Sequence, residues 1–87
     1  MMEFKEFAGL VDARVRAGAP STTFQTPLPT SAAWKHGARG AAIELVEPRN
    51  FRLTLSTAAG DASPTWYPID NALVELTSER IAKHLSG

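Results

Sequence analysis

The chain contains no cysteine. Disulfide staples, thiolate nucleophiles and cysteine-bound metals are therefore excluded. It also carries no net charge, nine basic residues balancing nine acidic ones. A domain that holds nucleic acid by its backbone usually has a net positive charge, so the balance weighs against that class. No uninterrupted apolar run approaches the ~20 residues that span a bilayer, which argues against a membrane partner. Residues 3–7, Glu3-Phe4-Lys5-Glu6-Phe7, mix charge with apolar side chains, unlike the basic-then-apolar order of an export signal. With cysteine also missing, a cytoplasmic location is expected.

Large apolar side chains are scarce as well. Hydrophobic residues make up 44% of the 87, but 14 of them are alanine, and aromatics amount to 8%. The length fits one small domain over residues 1–87 with a thin core. Burial of further surface against a partner, or against a second copy, is the natural expectation for such a chain.

Periodicity supplies most of what the sequence says about fold. Phe4, Phe7, Ala8, Val11 and Val15 recur at three- and four-residue spacings, which predicts a helix over 3–17 with one apolar face. Asp12 and Arg16 form an i,i+4 pair on it. Gly18 is expected in the left-handed position past the last turn, and Pro20 blocks continuation. Gly9 reads either as a site of close backbone approach or as a tolerated helix glycine. Residues 21–26 suggest a short strand, confined to a sheet edge by Pro27 and Pro29. Residues 31–36 suggest one helical turn. Residues 41–47 and 51–57 alternate as a hairpin joined by Pro48-Arg49-Asn50, with Ile43, Leu45, Phe51, Leu53 and Leu55 on the apolar side. Thr65-Trp66-Tyr67 suggests a further short strand.

The C-terminal part has two readings. In one, Asp70 caps a single helix reaching about Leu85, with Leu73, Thr77, Ile81 and Leu85 on one stripe and Ile69 and Val74 as a hydrophobic staple. In the other, residues 72–76 form a strand before a shorter helix. The first is preferred. The expected fold class is α+β: a small antiparallel sheet of two to four strands, with an N-terminal and a C-terminal helix packed on it. A small barrel with terminal helices uses the same elements.

Catalytic patterns are hard to find. Gly37-Ala38-Arg39-Gly40 lacks the GxxxxGK[ST] pattern of a phosphate loop, and neither HExxH nor GxSxG occurs. Glu44 and Glu47 have opposite parity on their strand, so they do not form a working carboxylate pair. His84 near a helix end suits the helix dipole. Neither catalytic nor metal-ligating residues are assigned, no cofactor is implied, and the chain is not expected to be an enzyme.

Two clusters suit binding. Trp34, Lys35 and His36 with Arg39 combine an aromatic anchor with donors for an anion. Trp66 and Tyr67 precede Pro68 and have Arg49 and Arg52 as charged neighbours in kind; large aromatics with polar handles are typical of protein interfaces, and equally of cores. The preferred function is a noncatalytic protein-binding or assembly protein, such as an adaptor, inhibitor or structural component, acting on another protein or on itself as a homo-oligomer. The alternative is a nucleic-acid-binding accessory protein. It draws on residues 14–52, whose charges sum to +4, and requires Lys35, Arg39, Arg49 and Arg52 to converge in space.

Overall fold

A computed structural model describes residues 2–86. Helix α1 spans Phe4–Gly18, and all five residues of the predicted stripe are buried along it. Ala19 closes it, its backbone N–H donating to the Val15 carbonyl at 2.7 Å. Gly18 does not take the left-handed position expected of it, because the helix runs on through it; among the described residues only Gly37 and Gly60 have positive φ. A Cβ on Gly18 would lie 3.3 Å from Ala82 Cβ, so this glycine admits the second helix instead of ending the first.

Six strands follow: β1 (Thr23–Leu28), β2 (Ser31–His36), β3 (Arg39–Val46), β4 (Asn50–Thr57), β5 (Gly60–Asp61) and β6 (Thr65–Pro68). They form one open antiparallel sheet in the order β1-β2-β3-β4. The last line of this sheet is broken: β5 pairs with the end of β4, and β6 with its beginning. The expectation of two to four strands is therefore too low. The main cause is β2, expected as a helical turn. With β1 on one side and β3 on the other, residues 31–36 satisfy their backbone groups laterally, and Ala32 and Trp34 alternate into the core.

Helix α2 (Ala72–Ser86) is continuous, as the preferred C-terminal reading required. The Asp70 carboxylate accepts the Ala72 N–H at 2.9 Å, and Val74, Thr77, Ile81 and Leu85 are buried. Both helices cover the same sheet face. They pack on each other, and α2 also lies over β3 and β2. The core between helices and sheet holds Phe7, Val11, Trp34, Ile43, Phe51 and Ile81. Among the described residues the one buried charged side chain is Asp12, which accepts the Trp34 indole N–H at 3.0 Å and pairs with Arg16 at 2.9 Å. The hydrogen bond that Arg16 Nε donates to this carboxylate at 3.1 Å, and then the carboxylate's charge, hold the Arg16 guanidinium above its ordinary pKa.

Gly9 has nothing within 4 Å of where a Cβ would stand. It is a tolerated helix glycine and not a point of close approach. Gly9→Ala is expected to stabilise the fold by about 0.5–1 kcal/mol, through helix propensity and a less flexible unfolded chain. An upward shift of the urea midpoint would show it, and a downward shift would contradict the open space described.

Candidate protein-interaction face

Alternation sends every second strand residue away from the helices. The pairing register then arranges these outward residues in rows across the sheet. One row runs Thr23, Lys35, Gly40, Ser56, Asp61 across β1 to β5. The next runs Gln25, Ala33, Ala42, Thr54. A third contains Glu44, Arg52 and Trp66 on β3, β4 and β6. No element of the described residues covers this face.

Its relief follows from side-chain size. Ala33, Gly40 and Ala42 form a low floor, with Thr54 and Ser56 beside them. Lys35 and Asp61 flank Gly40 and Ser56 in the first row. The result is a shallow trough of about 590 Å³. Gly40 is needed for it, since a Cβ there would come within 2.8 Å of Ser56 Oγ. At the rim of the third row Trp66 is 58% exposed, the most exposed of the large hydrophobics. Arg52 and Glu44 form an ion pair across the strands and remain 41% and 43% exposed.

The residues singled out from sequence divide between locations. Lys35, Arg52 and Trp66 share the outer face. Trp34 does not: it is 1% exposed, with its ring 5.2 Å from Phe24 inside the molecule. Tyr67 also faces inward, its ring 5.6 Å from Phe51 and its hydroxyl accepting from Arg80 at 2.6 Å. Arg39 is engaged at the end of α2, donating to the His84 carbonyl at 3.0 Å. Cations belong at that pole of a helix. His36 is exposed at the end of β2, and Arg49 is exposed in the β3–β4 turn, at the opposite end of the sheet from Lys35. Lys35, Arg39, Arg49 and Arg52 thus do not form one patch.

Sequence reasoning missed Asp61 and the small residues of the floor. Glu44 was legible as outward-facing, but its cross-strand partner was not. His84 also has a use beyond the helix dipole. Its Nε2 lies 2.8 Å from the Ser56 carbonyl, and a carbonyl only accepts, so the ring donates there and ties α2 to the sheet. Among the described residues there is no group of three or more His, Asp or Glu placed to hold a metal, and no helix long and apolar enough to cross a membrane. Comparison with protein-family models, curated proteins and solved structures gives no match.

Proposed function

We propose that this chain is a noncatalytic protein-binding or assembly protein, cytoplasmic in location, whose outer sheet face is the interface. The observation that carries the proposal is the composition of that uncovered face. An antiparallel sheet with one solvated side normally presents polar residues there. Here the centre is alanine and glycine, the charges stand around it, and an exposed tryptophan lies at its rim. A low, neutral centre desolvates at little cost, while a charged rim orients a partner; protein interfaces share that anatomy. The alternative of nucleic-acid binding draws less support, because Arg39 and Arg49 lie elsewhere and Arg52 already has Glu44.

The test is photo-crosslinking in the source cells. A diazirine-bearing residue in place of Thr54, at the centre of the face, is expected to give discrete protein adducts. The same residue in place of Lys83, exposed on α2, is expected to give few or none. Absence of protein adducts from position 54, or adducts to nucleic acid alone, would refute the proposal.

A further inference from the structure

We propose that the occupant of the outer face is a second copy of this chain, packed face to face about a two-fold axis that runs along the strands between β3 and β4. This rests on the outer face being the interface. The argument comes from where its four charges stand. Lys35 is on β2 and Asp61 on β5, in one row and equally far from the line between β3 and β4. Glu44 is on β3 and Arg52 on β4, in another row and again equally far from that line. Rotation about the line exchanges left and right and turns the face over. Lys35 then meets Asp61 of the second copy, and Glu44 meets Arg52 of the second copy. Every charge in these rows falls opposite one of the other sign, and two-fold symmetry makes each match occur twice.

The steric requirements agree. Aligned sheets pack about 10 Å apart, with strand directions within about 30°. The row between the two charged ones is Gln25, Ala33, Ala42 and Thr54; Gln25 lies on β1, outside the overlap of the two copies, and the other three are small enough to let two sheets approach. The Glu44–Arg52 pairs of the two copies become one alternating four-charge cluster, in which each ion gains a second partner. Trp66, at the β6 end of its row, covers the β2 side of the second copy. About this axis four strand positions overlap, from β2 to the line of β5 and β6, and with the eight-residue central strands they give a shared face of about 19 by 26 Å, or roughly 500 Å² in projection. Accessible area exceeds projected area, so the face approaches the ~800 Å² per partner of a standard interface.

The experiment is a charge swap read by light scattering across a protein-concentration series. Wild type is expected at twice the 9.4 kDa chain mass. Lys35→Glu sets Glu against Asp61, and Asp61→Lys sets Lys against Lys35. Each is expected to raise the dimer dissociation constant by about tenfold or more. The double variant Lys35→Glu/Asp61→Lys restores both matches and should recover the dimer. Lys83→Glu, on the exposed side of α2, changes net charge as Lys35→Glu does and should leave the mass unaltered. All three positions are exposed, and far-UV circular dichroism checks that each variant folds. Failure of the double variant to recover, or equal weakening by Lys83→Glu, overturns the proposed pairing. A wild type that stays monomeric throughout overturns it too. If position 54 still crosslinks to a different protein in cells, the interaction face survives and only the second copy is lost; if it crosslinks to nothing, both are lost.

Discussion

Phe51→Ala is expected to remove about 3–5 kcal/mol of folding stability, the range for emptying a buried phenylalanine site. For 87 residues the whole stability is roughly 4–13 kcal/mol, so the variant is expected to lose a large fraction of it. The reason lies in what the ring joins. Phe51 is 0% exposed, and its centroid is 4.8 Å from Phe7 on α1 and 5.6 Å from Tyr67 on β6. One side chain thus connects the first helix, the centre of the sheet and its last strand. The cavity left by alanine has walls on three elements, and the sheet cannot collapse into it without breaking register. Phe51→Leu keeps most of the volume and is expected to cost about 1–2 kcal/mol. Because the two rings touch, Phe7→Ala and Phe51→Ala should not add; their double-mutant coupling is expected at about 0.5–1.5 kcal/mol. Urea unfolding followed by circular dichroism reads all of these. A loss below about 1 kcal/mol for Phe51→Ala would mean that the ring does not join these elements.

The helices were legible because their signals are local. Five apolar positions at helical spacing placed α1 to within a residue at each end, and Asp70 marked the start of α2 through the carboxylate that caps it. The β3–β4 hairpin was legible from alternation alone. Strand β2 was not, since Ser31-Ala32-Ala33-Trp34 has no strong strand preference and becomes a strand by pairing on both sides. One local signal for it existed. Gly37-Ala38 is a two-residue connection closed by the pair His36 and Arg39, and Gly37 has φ of +62°. A glycine first in such a loop suits a type II′ hairpin turn.

Missing β2 had a cost for the site. Without it Lys35 has no row, and its relation to Asp61 cannot be seen. The aromatic pair on β6 shows a related limit. Trp66 and Tyr67 are adjacent on a strand, so only one of them can face outward. Tyr67 lies opposite Phe51 and therefore faces in, which leaves Trp66 outside. On a strand the pair must split, although by residue type the two read together as one cluster, and the register decides which way. The same holds for charge: the four cations required to converge became separate situations, Lys35 in the outer row, Arg39 capping a helix, Arg49 in a turn and Arg52 beside Glu44.

Trp34→Ala is the other variant expected to lose about 3–5 kcal/mol, and its effect should spread in a particular direction. The indole fills the core below β2, donates to Asp12 and stacks near Phe24 on β1. Strand β1 has only β2 as a neighbour, and its register is interrupted between Gln25 and Leu28. Phe24 is its one side chain held against the core cluster, with the Arg16 guanidinium 5.8 Å above the ring. Loss of Trp34 therefore removes the floor on which the edge strand rests, and amide exchange should accelerate most in residues 23–28. Trp34→Phe keeps an aromatic ring and loses the N–H. Asp12 still has Arg16, so the cost is expected to fall to about 1–2 kcal/mol. Asp12→Ala strands the buried indole N–H and is expected to cost about 1–3 kcal/mol. The double variant Trp34→Phe/Asp12→Ala should cost less than the sum, because the same hydrogen bond is absent from both single variants. Additivity would show that the indole and the carboxylate do not interact. Unchanged exchange in β1 after Trp34→Ala would show that the edge strand, which carries Thr23 and Gln25 to the outer face, is held by its backbone pairing alone.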